Sequence, residues 1–137
     1  MGKRRRAREE ALKIIYQYDL SREDIEEILQ SYWSHNSLSG DIVSFADEIV
    51  KGTVEHMKEI DQTIEKHAEN WSLERIGMVE KAVLRIAIYE LIYRDDIPPK
   101  VSINEAIEIE RKFGSEDSTS FINGILDKVK RDMEVKR

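Results

Sequence analysis

The 137-residue sequence contains no cysteine, only two prolines and only six glycines. Without cysteine, the protein has no disulfide, no thiol nucleophile and no cysteine-based zinc site. The scarcity of proline and glycine leaves long stretches free to form helices, because these residue types interrupt helices most strongly. The composition suits a reducing compartment, and we expect a cytoplasmic protein.

The sequence also lacks an uninterrupted apolar run long enough to cross a membrane. In the most hydrophobic stretch, 76–93, thirteen of eighteen residues are apolar. Charges inside a membrane span are costly, and four charged residues interrupt this stretch. The four residues are Glu80, Lys81, Arg85 and Glu90. The basic N-terminus does not resemble a secretory signal, because Glu9, Glu10 and Lys13 follow it where an apolar segment would be needed.

Net positive charge is confined to the N-terminus. Lys3 and the four arginines of segment 4–8 contribute five positive charges, and removing them from the formal net charge of −6 leaves −11 for the rest. Guanidinium groups match phosphate oxygens in a bidentate manner, so this cluster predicts contacts with a nucleic-acid backbone. The alternative is a solvated basic tail.

The basic cluster runs directly into a helical pattern. Apolar residues recur every three to four positions, and the pattern continues to about Leu20. The residues of this apolar pattern are Ala7, Ala11, Ile14, Ile15 and Tyr18. The arginines should therefore occupy the first turns of a helix, with Arg4 and Arg8 on one face. We predict a fixed row of exposed guanidinium groups.

The rest of the chain predicts an all-α fold, because apolar residues keep the helical spacing and no segment alternates with period two. A second helix should start at a Ser21 cap and end near Trp33. Segment 34–40 is polar and predicts a loop. Two further apolar stripes, 42–54 and 57–68, predict the third and fourth helices.

The segment Asn70-Trp71-Ser72 is the predicted subdomain boundary. Ser72 has the form of a new helix cap, and the composition becomes much more apolar after it. We therefore divide the chain into an N-terminal helical subdomain, 1–70, and a C-terminal one, 71–137. Together they should form one compact domain.

The C-terminal part predicts three helices. The apolar stretch 76–93 should be a buried central helix that ends before Pro98. Ser102 starts a capping-box pattern, and Gly114 marks the end of the next helix. Segment 115–118 should cap the last helix, whose polar end should fray from about Asp132 onward.

Catalytic and metal-binding patterns are scarce. The only histidines are His35, His56 and His67, and none of them pair at the spacing of a helical metal site. No phosphate-binding loop or nucleophile motif occurs. We predict no enzyme activity, no catalytic residue, no metal site and no cofactor. The glutamates of segment 105–110 should form a solvated face; they are Glu105, Glu108 and Glu110.

Four motifs, in order along the chain, carry a family resemblance. They are Arg4-Arg5-Arg6-Ala7-Arg8-Glu9, Val79-Glu80-Lys81-Ala82-Val83-Leu84-Arg85-Ile86-Ala87-Ile88-Tyr89-Glu90-Leu91, Ile103-Asn104-Glu105-Ala106-Ile107-Glu108, and Phe113-Gly114 followed by Phe121-Ile122-Asn123-Gly124-Ile125-Leu126-Asp127. Together they resemble the NusB family of transcription antitermination factors. Segment 29–68 matches that family only in its hydrophobic pattern.

The resemblance implies about seven helices in two small bundles and a protein that is not an enzyme. It implies binding to boxA RNA as a heterodimer with NusE, a ribosomal protein. The complex would join the RNA polymerase antitermination complex and promote processive transcription of ribosomal RNA operons. The family also includes homodimers that hide the arginine motif.

The resemblance further implies two sets of site residues. The RNA-binding set, with Phe121 as a base-stacking residue, is Arg4, Arg5, Arg6, Arg8, Lys81, Arg85 and Phe121. The partner-binding set is Tyr16, Leu20, Glu80, Phe113 and Asp117. For Tyr16, Leu20 and Phe113, plain core packing is the alternative.

Two other functions remain open at this point. The first is a helical protein-protein adaptor whose basic N-terminus binds anions without regard to sequence. The second is a relative of the helical domains fused to RNA methyltransferases, although the length leaves no room for a catalytic domain.

Overall fold

The computed structural model describes residues 2–69 and 71–135. Within these residues the protein is all-α, as predicted, with seven α-helices, one short 3-10 helix and no strand. The helices are α1 (Lys3–Ser21), α2 (Ile25–His35), α3 (Gly40–Glu55), α4 (Met57–His67), α5 (Met78–Tyr93), α6 (Pro99–Phe113) and α7 (Thr119–Val135), and the 3-10 helix is Leu73–Arg75. None of these helices combines the length and hydrophobicity needed to cross a lipid bilayer.

The start of the second helix was predicted wrongly. Ser21 is the last residue of α1, and Arg22 then adopts a left-handed conformation with φ 59° while its N–H donates to the carbonyl of Tyr18 at 2.8 Å. Asp24 is the cap of α2, and its carboxylate accepts a hydrogen bond from the Glu26 N–H at 3.4 Å. The helix continues to His35, so the loop that follows is confined to 36–39.

The capping box predicted at Ser102 is also wrong. Helix α6 begins at Pro99, where a proline costs little because the first N–H groups of a helix have no intrahelical acceptor. Ser102 is buried inside α6, and its hydroxyl donates to Glu90 at 2.8 Å. The side chain that looks like a cap is a contact between α6 and α5. The predicted end of α6 at Gly114 is confirmed.

Two other boundaries differ from the prediction. Ser72 precedes the 3-10 helix Leu73–Arg75, and the central helix begins only at Met78. Helix α7 remains regular to Val135 instead of fraying after 132. Its last turns are joined to α4 by a 2.6 Å contact between Nε2 of His67 and Oδ2 of Asp132.

Helix α5 is the centre of the fold, and it packs against α1, α3, α4, α6 and α7. Every residue from Ala82 to Leu91 is buried. The core residues come from both sides of position 70, and α1 itself contacts both α3 and α5. The division into subdomains 1–70 and 71–137 stays a prediction, and Asn70 lies outside the described residues.

The closest approach of α3 to α5 depends on Gly52. A Cβ atom at this position would lie 2.1 Å from Cζ of Tyr89. The Tyr89 ring is also stacked on Tyr93, with ring centroids 5.7 Å apart, so it has little freedom to move away. The glycine that interrupts the α3 pattern is therefore a packing position.

We predict that Gly52→Ala destabilises the protein by about 1–3 kcal/mol, because the added methyl group collides with a buried ring. Gly124→Ala is the matched control: no atom lies within 4 Å of its added Cβ. That change should stabilise the protein by about 0.5–1 kcal/mol through helix propensity. Urea unfolding of both variants measures the two free energies. Equal effects would contradict the packing role of Gly52.

Candidate functional site

The basic N-terminus forms the first two turns of α1, but its arginines occupy different environments. Arg4 and Arg6 are exposed, Arg5 is half-buried, and Arg8 is only 3% exposed. The predicted row of four exposed guanidinium groups is therefore wrong. The reason is that α1 turns one side toward α5 and α6, and residues on that side become part of the interior.

Arg8 forms a buried ion pair with α5. Its Nε and Nη2 atoms donate to the two carboxylate oxygens of Glu90, both at 2.8 Å. The hydroxyl of Ser102 donates to the same carboxylate. A buried charge is tolerated only when it is paired and hydrogen-bonded. These hydrogen bonds therefore fix the positions of α1, α5 and α6 relative to one another.

Arg5 and Arg6 are also paired within the fold. Arg5 donates to both oxygens of Glu105 at 2.8 and 2.6 Å, and this hydrogen bonding lowers the pKa of the Glu105 carboxyl. Arg6 donates to Glu10 at 2.8 Å. Glu10 also accepts a hydrogen bond from the hydroxyl of Tyr32, and burial together with this bond raises the pKa of Tyr32.

Arg4 differs from the other three arginines. Among the described residues it makes no ion pair or hydrogen bond with a carboxylate. Its guanidinium carbon lies 4.7 Å from the centroid of the Phe45 ring. The guanidinium carbons of Arg8 and Arg94 each lie 5.4 Å from the same centroid. Three guanidinium groups around one ring concentrate positive charge at the N-terminal end of α1.

Two open depressions lie on either side of Arg4. One is lined by Lys3, Arg4, Asp41, Ser44, Phe45, Glu48 and Arg94. The other is lined by Gly2, Arg4, Arg5, Arg8, Ile97, Pro98, Val101 and Glu105. The second combines an apolar wall with basic side chains, and such a surface suits a nucleic-acid base beside its phosphate. We call the exposed part of this region, Lys3, Arg4, Arg5 and Val101, the arginine end of α1.

Lys81 and Arg85, both named in the RNA-binding set, lie largely in the interior. Arg85 is 2% exposed and donates to both oxygens of Asp61 at 2.8 and 2.9 Å. Lys81 is largely buried, and its Nζ atom lies 3.6 Å from Oδ2 of Asp19. Asp19 is fifteen residues beyond Arg4, roughly 22 Å along α1. Lys81 and Arg85 thus form an internal network far from the arginine end.

The predicted partner residues lie toward the other end of α1. Tyr16 and Leu20 are 36% and 63% exposed, so plain core packing does not account for them. Phe113 is half-buried, and its ring contacts Nζ of Lys13 at 5.8 Å, one turn before Tyr16. Phe113 therefore continues the apolar surface of α1 onto the end of α6.

A groove beside Phe113 contains the remaining partner residues. It is lined by Trp71, Arg75, Ile76, Gly77, Glu80, Asp117, Ser118 and Phe121. Glu80 and Asp117 give it two carboxylates, and its empty volume is about 650 Å³. We call it the acidic groove. The structure therefore brings Glu80 and Asp117 together.

Phe121 lies in the acidic groove and away from the arginines. It packs edge-on against Trp71, with ring centroids 5.9 Å apart. Trp71 is 45% exposed, and the sequence analysis missed it as a surface residue. A tryptophan in a short polar segment between two helices was the available signal. This placement groups Phe121 with Glu80 and Asp117 of the predicted partner-binding set.

The acidic face predicted on α6 is present only in part. Glu108 is exposed and paired with Arg111. Glu105 is half-buried against Arg5, and Glu110 is completely buried. The prediction failed for Glu105 and Glu110 because α1 and α5 cover those sides of α6.

Known proteins match this chain over almost its whole length. Residues 5–131 match the sequence model of the NusB family. The chain is 48% identical over 133 residues to transcription antitermination protein NusB of Myxococcus xanthus, covering 94% of this chain and 95% of that protein. It is 41% identical over 132 residues to the Bacillus subtilis protein of the same name, covering 96% and 98%.

Solved structures agree with this result. NusB of T. maritima superimposes with a TM-score of 0.85 at 39% identity, covering 93% of this chain and 90% of that one. A chain from the crystal structure of antitermination factors NusB and NusE in complex with dsRNA superimposes with a TM-score of 0.87 at 29% identity. The shared region covers 96% of this chain and 98% of that one.

The different environments of the arginines predict different costs of mutation. Arg8→Met should destabilise the protein by about 3 kcal/mol, because Glu90 would stay buried without a cation. Arg4→Met should change the free energy of unfolding by less than about 0.5 kcal/mol, as for other exposed residues. Urea denaturation of both variants measures this difference. Similar losses would show that Arg8 is not the structural arginine of the pair.

Proposed function

We propose that this chain, which belongs to the NusB family, is a transcription antitermination factor that binds boxA RNA together with NusE. One observation carries the RNA part of the proposal. Arg4 is exposed, has no carboxylate partner among the described residues, and stands between two open depressions at the arginine end of α1. Its charge is therefore available to an external anion.

RNA would bind across the arginine end of α1. Arg4 would contact phosphate first, and Arg5 and Arg6 would follow by exchanging Glu105 and Glu10 for phosphate oxygens. Arg8 would act as a positioning residue, because its ion pair with Glu90 fixes α1. The rest of the chain is acidic and would repel RNA elsewhere, which limits binding to this end.

NusE would bind the other end of α1 and the acidic groove. The exposed side chains of Tyr16 and Leu20, together with Phe113, offer apolar contacts, and Glu80 and Asp117 offer negative charge to a basic ribosomal protein. The related chain in the NusB–NusE–dsRNA crystal structure supports a heterodimer of this kind. Phe121 and Trp71 would contribute to the same surface.

The wider role follows from family membership. In the cytoplasm, the heterodimer would join the RNA polymerase antitermination complex and support processive transcription of ribosomal RNA operons. A homodimer that covers the arginine end would keep the protein from binding RNA until NusE is present. These two roles would be additional to the binding of RNA and NusE by this chain.

The RNA part is tested by salt-dependent binding to boxA RNA and to a scrambled RNA of equal length, with and without NusE. We expect a preference for boxA that increases with NusE. Arg4→Ala should weaken binding and reduce the slope of log K against log salt by about 0.7, the contribution of one phosphate contact on a single strand.

Arg131→Ala is the matched control for that measurement, because Arg131 is exposed on α7 and paired with Asp127. It should leave both affinity and slope unchanged. Equal binding to the two RNAs, with no effect of NusE, would instead favour the helical adaptor with an unspecific basic N-terminus.

The partner part is tested by binding of NusE to a Leu20→Ala variant. Burial of an exposed leucine at an interface contributes about 1–2 kcal/mol, so the Kd should rise about 5- to 30-fold. Val101→Ala removes a similarly exposed aliphatic side chain at the arginine end and should leave NusE binding intact. Titration calorimetry measures both, and an unchanged Kd for Leu20→Ala would exclude this end of α1 from the interface.

A further inference from the structure

The described residues contain four buried glutamates, and only Glu110 lacks a cation. Each of the other three is paired with at least one basic side chain: Glu9 with Lys112, Glu10 with Arg6 and Lys13, and Glu90 with Arg8. Among residues 2–69 and 71–135, no basic group lies within 4 Å of Glu110. A buried carboxylate without a cation costs several kcal/mol, so Glu110 requires another explanation.

The neighbour of Glu110 is a second carboxyl group, that of Glu80 on α5. A Cβ atom at Gly114 would lie 1.9 Å from Oε2 of Glu110 and 2.6 Å from Oε2 of Glu80, so both groups converge on this glycine. The Glu110 side chain is 0% exposed, and its Oε1 atom has no hydrogen-bond partner. Its Oε2 atom accepts the N–H of Ser115 at 3.2 Å and lies beside the carboxyl group of Glu80.

Two neighbouring carboxyl groups, one of them fully buried, do not both ionise easily. Burial, the hydrogen bond to Glu80 and the charge of Glu80 together raise the pKa of the Glu110 carboxyl, against the opposing effect of the Ser115 N–H. The pair therefore retains a proton at pH values where an exposed glutamate has lost its own. That proton satisfies one oxygen and halves the buried charge.

Other charged groups on the neighbouring elements do not pair with Glu110. On α1, Lys13 is paired with Glu10, and Asp19 with Lys81 of α5. On α6, Lys112 is paired with Glu9. Arg75 of the 3-10 helix lies over the Trp71 ring, Asp61 of α4 is paired with Arg85, and Asp117 precedes α7 in the acidic groove. None of them neutralises Glu110.

The carboxyl pair is connected to the proposed partner surface. Glu80 lines the acidic groove with Asp117 and Phe121, while Glu110 lies behind it in the interior. Gly114, on which the pair converges, directly follows Phe113. A cation that enters the groove therefore meets Glu80 first and affects Glu110 through it.

We propose that Glu80 and Glu110 form a receiving site for one lysine or arginine side chain of the protein partner, which replaces the proton that the pair holds in the free protein. This inference rests on the proposed function, since the partner is NusE. On binding, the carboxyl O–H bond breaks, the proton passes to the solvent, and the ionised pair is balanced by the cation. The partner's positive charge thus acts as a counterion that Glu110 lacks among the described residues.

The test is titration of the protein with NusE by calorimetry at one neutral pH, in phosphate and in Tris, which have different ionisation enthalpies. The number of protons released follows from the difference between the two binding enthalpies. We expect the wild type to release up to one proton more per complex than Glu110→Gln. Glutamine keeps the size and hydrogen bonding of the acid but has no such proton to release.

Glu108→Gln is the matched control, since Glu108 is an exposed glutamate on the same helix. It should release as many protons as the wild type. Glu80→Gln should resemble Glu110→Gln in proton release and should also bind more weakly. If the wild type and Glu110→Gln bind NusE with equal proton release, the inference is overturned while the proposed function stands. Failure of the wild type to bind NusE overturns both.

A stability measurement checks the pair independently of NusE. Because Glu110 has a raised pKa in the folded state, the folded protein binds more protons than the unfolded chain above the ordinary glutamate pKa. Stability should therefore fall as pH rises from there toward the folded pKa. Glu110→Gln should remove this part of the pH dependence in thermal unfolding, and Glu108→Gln should keep it. An identical pH dependence in the wild type and Glu110→Gln would also overturn the inference.

Discussion

The burial of α5 is the constraint on which the rest of the structure depends. A helix surrounded by five others has almost no side that faces water, yet this one carries Lys81, Arg85 and Glu90 in its sequence. Each charge needs an opposite charge from a neighbouring helix, because an unpaired charge in the interior is too costly. Arg85 takes Asp61 of α4, and Glu90 takes Arg8 of α1. These pairs fix how α1 and α4 lie against the centre.

The same constraint explains why the arginine motif has two roles. Arg4 and Arg8 lie four residues apart and so on one face of α1, but Arg8 lies one turn further into the helix, where it meets Glu90 of α5. Arg8 therefore serves the interior, and Arg5 links α1 to α6 through Glu105. Arg4 remains toward solvent, over Phe45. Residues 4–8 thus combine structural ion pairs with the exposed Arg4, and those pairs hold the first turns of α1 in place.

The two ends of α1 have opposite chemistry. The N-terminal end concentrates guanidinium groups beside open depressions, whereas the C-terminal end exposes Leu20 near a groove that contains Glu80 and Asp117. An anionic ligand and a basic protein can then bind one helix without competing for the same charges. Glu80 and Glu110 lie at the second end, and among the described residues neither carboxyl pairs with a basic side chain.

The sequence by itself determined the helical class, the approximate position of all seven helices and the family, because these depend on local periodicity and on motifs read along the chain. It also located the basic N-terminus, whereas the exposure of Leu20 is known only from the structure. Only the tertiary structure determines which charged side chains are exposed and which are buried. Arg4 and Arg8 are equivalent in the sequence, as are Glu108 and Glu110, but one member of each pair is covered by a neighbouring helix. Ser102 likewise looked like a cap and became a partner of Glu90. Burial and ion pairing depend on residues far apart in the chain, such as Arg5 and Glu105, which are 100 positions apart, and no local pattern contains that information.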